Sequence, residues 1–129
     1  MNRITSAEHD TESVEATTLD EIHMSHVSTE TDSIMWKIDV EGAEQLVLDG
    51  AKKAIEDSRV RIVFLETVTE RIRQLMISQG FCIQNYSPFD RCFSSICSNS
   101  NNTLWVRDLP FVQERVKLSE GIDVHGVKV

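Results

Sequence analysis

Hydrophobic positions along the chain form short apolar runs that are separated by stretches of helical spacing. Apolar runs of five or six residues that end in polar residues are typical of strands buried on both faces of a sheet. Such runs predict strands over residues 34–38 and 60–65, while alternation predicts a strand over residues 81–86 and residues 103–107 form the last candidate strand. Between them, apolar residues at intervals of three and four predict amphipathic helices over residues 43–55 and 69–79.

The pattern is weaker towards both ends of the chain. Residues 1–13 are polar without a period and are expected to form a flexible tail. Residues 14–19 alternate weakly and favour a strand, after which Asp20 is placed to cap a short helix. Beyond the last strand, a short helix is predicted to begin at Pro110 and to end near Gly121.

The order of these elements indicates the fold class. Long helical crossovers make the early strands parallel, with right-handed connections. The connection over residues 87–102 lacks a helical pattern and is rich in turn-forming residues, so the last two strands are expected to pair antiparallel. The predicted fold is therefore α/β, with parallel strands and a reversed terminal strand.

Charge and composition exclude several classes of protein. The 129 residues carry 13 Lys and Arg against 21 Asp and Glu, a net charge of −8, which disfavours general nucleic-acid binding. No run approaches the roughly 20 apolar residues of a membrane helix, and the first residues lack the apolar segment of an export signal. Cys82, Cys92 and Cys97 are an odd number and are expected to be free thiols. A cytoplasmic location is the corresponding expectation.

Acidic residues follow two of the predicted strands, where open α/β sheets bind their ligands. Asp39 ends the first of these strands and Glu66 ends the second. Glu41 and Glu44 follow Asp39 in a turn that contains Gly42, whose small size allows close approach of the backbone. Two interpretations remain open for these acids: residues favoured by the dipole at a helix start, or a cluster that binds a cationic group, a hydroxyl or a metal.

Two histidines form a weaker signal. His23 and His26 lie three residues apart in a polar connection that offers no third strong ligand. Exposed side chains are therefore expected here, and no metal site is assigned to them or elsewhere in the chain.

The segment around Asp39 resembles a known family. Residues 36–44 read Trp-Lys-Ile-Asp-Val-Glu-Gly-Ala-Glu and are followed by Val-Leu-Asp-Gly-Ala at residues 47–51. This sequence resembles the central motif of FkbM-type methyltransferases, in which a strand ends in K-I-D-V-E-G-A-E and a helix follows with V-L-x-G-A. Residues 17–21 are similar to the T-L-D segment that precedes this motif in the family, and the resemblance extends over about residues 14–107.

The resemblance implies a class I methyltransferase fold with a Rossmann-like sheet. It also implies the cofactor S-adenosylmethionine and O-methylation of a hydroxyl on a small molecule or glycan. By position in the motif, Asp39, Glu41 and Glu44 are the catalytic candidates, and Asp39 is also the candidate for cofactor binding. A carboxylate there is suited to bind the amino group of the cofactor or to accept the hydroxyl proton of the substrate.

One element of the family is not found in this sequence. The family begins with a strand and a Gly-rich turn that approaches the cofactor, and none of the five glycines forms such a turn. The chain is therefore similar to the C-terminal portion of the domain: residues 1–13 a tail, 14–107 a partial methyltransferase domain and 108–129 an extension. An alternative is a truncated, non-catalytic remnant or partner-binding module without cofactor binding. Expected partners are the methyl acceptor, a second copy of the chain or a missing N-terminal half, with no nucleic acid and no membrane segment.

Overall fold

A computed structural model describes residues 13–95, 102–124 and 126–128. These residues form a mixed α/β structure. In chain order its elements are α1 (Leu19–His26), β1 (Ile34–Ile38), α2 (Glu44–Asp49), a 3₁₀ helix (Ala54–Glu56), β2 (Val60–Leu65), α3 (Glu70–Ser78), β3 (Cys82–Ser87), β4 (Cys92–Ser95), β5 (Thr103–Val106), α4 (Leu109–Leu118), β6 (Asp123–Val124) and β7 (Val127–Lys128).

Five of the strands form one sheet, in the order β1-β2-β5-β3-β4. β1 and β2 are parallel, and Ile38 pairs with Leu65 at their carboxyl ends. β5 lies between β2 and β3 and runs antiparallel to both. The predicted reversal of the last strand along the chain is therefore confirmed for β5, although β5 lies inside the sheet, and the sheet is mixed rather than fully parallel.

The hydrophobic core lies on one face of this sheet. Side chains alternate between the faces of a strand, so Trp36 and Ile38 of β1 point to the same side. They pack with helical residues such as Leu48, Ile72 and Met76 in a single buried cluster. On the opposite face Met35 remains 59 % exposed, so the two faces are covered unequally.

The predicted strand over residues 14–19 is wrong. Residues 13–18 have no regular structure, and α1 begins at Leu19 with Thr18, rather than Asp20, as its cap. The Thr18 hydroxyl accepts a hydrogen bond from the Glu21 amide, and the Glu21 carboxylate accepts one from the Thr18 amide. This reciprocal capping box outweighs the β propensity of the threonines.

The predicted helix over residues 43–55 is also shorter than its hydrophobic period. α2 ends at Asp49, and the Gly50 carbonyl accepts a hydrogen bond from the backbone amide of Asp20. The Asp20 carboxylate in turn accepts hydrogen bonds from the amides of Lys53 (3.0 Å) and Ala54 (2.7 Å), which begin the separate 3₁₀ helix. A side chain 33 residues away in the sequence thus divides the helix.

β4, which forms a hairpin with the predicted strand β3, is an element that the hydrophobic pattern does not predict. Tyr86 pairs with Phe93 across it, and their rings lie 4.9 Å apart. β4 lies within the predicted connection over residues 87–102, of which residues 96–101 lie outside the described residues. Cys82 and Cys92 are free, as expected, and Cys97 lies outside the described residues.

Arg107 connects several elements through the hydrogen bonds of its side chain. Its guanidinium donates hydrogen bonds to the backbone carbonyls of Ile55 (3.0 Å), Gln79 (3.3 Å) and Val60 (3.0 Å), and also to that of Asp57. It lies over the Phe81 ring, 4.5 Å from the centroid. Burial lowers the pKa of this arginine from its ordinary value. Arg107 therefore ties β2, β5, the 3₁₀ helix and the end of α3 together.

Candidate functional site

The parallel pairing of β1 and β2 creates the candidate site at one edge of the sheet. Ile38 lies opposite Leu65 at the carboxyl ends of β1 and β2. The residues that follow them, Asp39 and Glu66, therefore lie side by side at this edge of the sheet. Their carboxyl groups are close enough that each shifts the pKa of the other. The Glu66 carbonyl accepts a hydrogen bond from the Asn102 amide (2.8 Å), which anchors the chain just before β5 at the same edge.

A tight turn connects Asp39 to α2. The Ala43 amide donates a hydrogen bond to the Val40 carbonyl at 3.2 Å, and the two central residues, Glu41 and Gly42, have φ values of 47° and 94°. Two positive φ angles are easy for glycine but costly for glutamate, which rarely adopts this conformation. The turn therefore stores backbone strain at Glu41 and holds this exposed residue beside the strand ends.

Charge is distributed unevenly between the two strand-end carboxyl groups. The Lys37 ammonium lies 2.8 Å from an Asp39 carboxylate oxygen and, together with Glu66, lowers the pKa of Asp39. The pKa of Glu66 is raised, chiefly by Asp39 and further by burial and by the charges of Glu44 and Glu41. Two like charges this close cannot ionise equally, so Asp39 carries the negative charge first and Glu66 holds its proton longer.

Glu44, the first residue of α2, is buried, with only 1 % of its surface exposed. One of its carboxylate oxygens, Oε1, is shielded from water and has no hydrogen-bond partner, and the same is true of Oε2 of Glu66. The helix dipole favours an acid at the position of Glu44 by about 0.3–1 kcal/mol. This gain is smaller than the free energy that it costs to bury a carboxylate oxygen without a hydrogen-bond partner. Stability alone therefore does not account for Glu44, and the functional interpretation of the cluster is favoured.

The structure thus brings the residues of the motif together, with different surroundings for each. Asp39 and Glu41 are exposed at the sheet edge, while Glu44 lies buried behind them and acts on the site through its charge. Lys37 belongs to the motif and Glu66 was identified as a strand-end acid, but neither was among the predicted site residues. The available signal was that two neighbouring parallel strands each end in an acid, since such ends meet at one edge of a sheet.

Metal ligation finds no geometric support in the part of the chain that the structure describes. Over residues 13–95, 102–124 and 126–128, no group of three or more His, Cys, Asp or Glu is arranged to hold a metal ion. His23 is not the exposed side chain expected from the sequence, since only 11 % of it is accessible. Its Nε2 lies 2.9 Å from the Asp57 carboxylate and its ring meets that of Trp36 edge-on, which makes it a packing residue.

Replacing Asp39 with asparagine is expected to lower the pKa of Glu66 towards its ordinary value. The neutral amide removes the charge that contributes most to the raised pKa. Carbon-detected NMR titration of the Glu66 carboxyl group measures this directly. Asp49→Asn is the matched control, because Asp49 lies on α2 in an exposed pair with Arg71 and should leave the Glu66 titration unchanged. An unaltered titration in Asp39→Asn would show that the two carboxyl groups are independent.

Comparison with known proteins identifies the family to which the chain belongs. A model of the methyltransferase FkbM domain matches residues 2–83, which is more than half of the chain and contains Asp39, Glu41, Glu44 and Glu66. The chain therefore belongs to the FkbM methyltransferase family. The match favours a methyltransferase and gives no support to the alternative of a truncated remnant. No curated protein and no solved structure matches the chain.

None of the helices among the described residues is both long and apolar enough to cross a membrane.

Proposed function

We propose that this protein transfers a methyl group from S-adenosylmethionine to a hydroxyl of a small molecule or glycan, at the sheet edge formed by Asp39 and Glu66. The observation that carries the proposal is the pair of adjacent strand-end carboxyl groups with opposite pKa shifts, within the span matched by the family. A class I methyltransferase sheet is part of the proposal, supported by the parallel β1 and β2 and the reversed β5.

The chemistry of the edge fits the proposed cofactor. S-adenosylmethionine carries a positive ammonium group and a positive sulfonium group, and its ribose offers hydroxyl donors. The edge presents carboxylates, of which Asp39 is half exposed and Glu66 has an oxygen without a donor. When bound, the cofactor would supply an electrophilic methyl group on its sulfonium.

The two carboxyl groups are suited to different tasks. Asp39 is kept ionised by Lys37, so it offers a permanent negative charge to a cationic group such as the cofactor ammonium. Glu66 has the raised pKa and is the stronger base of the pair, so it is the better acceptor for the proton of an attacking hydroxyl. Methyl transfer needs little more from the protein than such positioning and removal of one proton.

Glu41 and Glu44 are assigned supporting roles. Their charges raise the pKa of Glu66 and add to the negative potential of the edge. The strained turn at Glu41 and the buried carboxylate of Glu44 both cost stability, which is a common feature of functional sites. Asp39, Glu41 and Glu44 thus remain the proposed site residues, with Glu66 added as the proton acceptor.

Calorimetric titration of the chain with S-adenosylmethionine tests the proposed cofactor site. Loss of a charge-assisted contact is expected to weaken binding by about 10- to 100-fold in Asp39→Asn. Asp49→Asn removes the same charge from a surface pair on α2 and should bind like the unmodified chain. Equal binding by both variants would exclude Asp39 as a cofactor ligand, and absence of binding by the unmodified, folded chain would overturn the proposal.

A further inference from the structure

The carboxylate edge carries more negative charge than the proposed cofactor neutralises. Asp39, Glu41 and Glu44 all act on the carboxyl group of Glu66, so the four acids are neighbours. Of the described residues, only Lys37 forms an ion pair with one of them, namely Asp39. Even when Glu66 is protonated, three carboxylates face one ammonium. S-adenosylmethionine has two cationic groups and one carboxylate, so it compensates only part of this excess, and a negative charge remains for a second ligand.

Glu44 contributes to this excess from inside the protein. Its side chain is buried, and its Oε1 has neither a hydrogen-bond partner nor surface that a ligand could contact. A buried charge is weakly screened by water, so its field extends to neighbouring groups, and it raises the pKa of Glu66. Glu44 therefore favours a cation at the exposed part of the edge without touching it.

Glu41 is the carboxylate that a second ligand can reach. It is exposed, the turn with a φ of 47° holds it beside the strand ends, and it forms no ion pair with any described residue. Its charge raises the pKa of Glu66, which places it next to the proposed proton acceptor. Asp39, in contrast, is engaged by Lys37 and is assigned to the cofactor. Glu41 is thus an accessible negative charge that the proposed cofactor contact leaves unused.

These charges discriminate between classes of methyl acceptor. The net charge of −8 and the acids of the edge repel anionic acceptors such as sugar phosphates or uronic acids. A neutral alcohol gains nothing from the excess charge. An acceptor that carries an ammonium group a few bonds from its hydroxyl can place the cation at Glu41 and the hydroxyl at Glu66, because the two carboxyl groups are neighbours. Charge complementarity therefore selects a cationic acceptor.

We propose that the methyl acceptor is a cationic amino alcohol, such as an amino sugar, whose ammonium pairs with Glu41 while its hydroxyl faces Glu66. This inference rests on the proposed methyl transfer. The acceptor oxygen forms a bond to the methyl carbon, the carbon–sulfur bond breaks with its electron pair going to sulfur, and the hydroxyl proton passes to Glu66. The protonated amine has no lone pair, so the oxygen is methylated and the nitrogen is not. The bound cation also opposes the like charges that raise the pKa of Glu66, which favours the ionised form of the base.

NMR titration of the full chain with glucosamine, in the presence of S-adenosylhomocysteine and at a pH where the amine is protonated, tests this proposal. Saturable shifts of the amides of Glu41, Gly42 and Glu66 are expected. N-acetylglucosamine has the same ring without the positive charge and should bind at least about 10-fold more weakly, the value of one charge-assisted contact. Equal binding of the two sugars, or no saturation by glucosamine in a chain that binds S-adenosylhomocysteine, would overturn the proposal. Failure to bind S-adenosylhomocysteine would instead overturn the proposed function itself, and this proposal with it.

Two variants of Glu41 test the assigned contact. Glu41→Gln removes the charge at constant size, and Glu41→Gly removes it while relieving the positive φ, so the second variant keeps the turn intact. Both are expected to weaken glucosamine binding about 10-fold and to leave the weak binding of N-acetylglucosamine unchanged. Glu114→Gln removes the same charge from an exposed position on α4 and serves as the matched control. Unchanged affinity for glucosamine in either Glu41 variant, or an equal loss in Glu114→Gln, would contradict the contact with Glu41.

Discussion

Replacing Glu66 with glutamine is expected to lower kcat for methyl transfer by about 10²–10⁴-fold, the usual contribution of a positioned general base. The glutamine amide has the size of the carboxyl group but cannot accept a proton. The raised pKa of Glu66, caused chiefly by Asp39, is what makes it the stronger base of the pair. Cofactor affinity should change little, because the ionised partner Asp39 and its contact with Lys37 are retained.

Release of S-adenosylhomocysteine in the presence of hydroxylated sugars and small alcohols measures this effect. Glu70→Gln is the matched control: Glu70 is largely exposed in the first turn of α3, four residues from Glu66, and should keep full activity. The two variants should differ in the step that they affect: Glu66→Gln should mainly lower kcat, whereas Asp39→Asn should mainly weaken cofactor binding. Full activity of Glu66→Gln, with an acceptor that the unmodified chain methylates, would exclude Glu66 as the base.

Replacing Arg107 with methionine is expected to lower the free energy of unfolding by about 2–4 kcal/mol, among the larger effects of a single substitution. Methionine retains an apolar stem over Phe81 but leaves the carbonyls of Ile55, Val60 and Asp57 without the guanidinium donor. These carbonyls belong to separate segments, so losing their hydrogen bonds to Arg107 weakens the packing between several elements rather than a single turn.

Urea denaturation monitored by tryptophan fluorescence measures the effect of Arg107→Met, because Trp105 is buried in β5, two residues before Arg107. Arg71→Met serves as the control: Arg71 is mostly exposed and makes one surface pair with Asp49, so a change within about 0.5 kcal/mol is expected. Similar stabilities of the two variants would show that Arg107 is not the structural anchor described above.

The central strands were predictable because their signal is local. β1 and β2 have the predicted bounds, since a continuous apolar run between polar residues leaves few alternatives. α3 likewise agrees to within a residue at each end, between Thr69 at its start and Gly80 just beyond it. The reversal of β5 also followed from the sequence, through the lack of a helical crossover before it.

The errors arose where a specific contact overrides a local pattern. The capping box of Thr18 and Glu21 converts a weakly alternating segment into the start of α1. The helix predicted through residue 55 is interrupted because Asp20, far away in the sequence, binds the amides that follow Gly50. β4 was missed because its partner β3, rather than its own short sequence, defines it as a strand.

The candidate site was only partly predictable, because some of its features depend on contacts between segments that are distant in the sequence. Asp39 stands out in the sequence because a strand end does not need an acid for stability. Its pairing with Glu66 depends on the register of β1 and β2, and the burial of Glu44 depends on how α2 packs on the sheet. Neither the pairing of Asp39 with Glu66 nor the burial of Glu44 is encoded in a short motif, so both became evident only from the structure.

Mapping S-adenosylmethionine onto the folded chain by NMR tests the central claim most directly. Backbone amide signals of residues 39–44 and of Glu66 are expected to shift in a saturable manner, and Asp39→Asn should reduce these shifts at equal ligand concentration. Signals of Met35, Ile62 and Val116, which lie beside α4 and away from the carboxyl ends of β1 and β2, should remain unaffected. Shifts confined to those residues, or a folded chain whose carboxylate edge does not respond, would contradict the assignment of the methyl-transfer site.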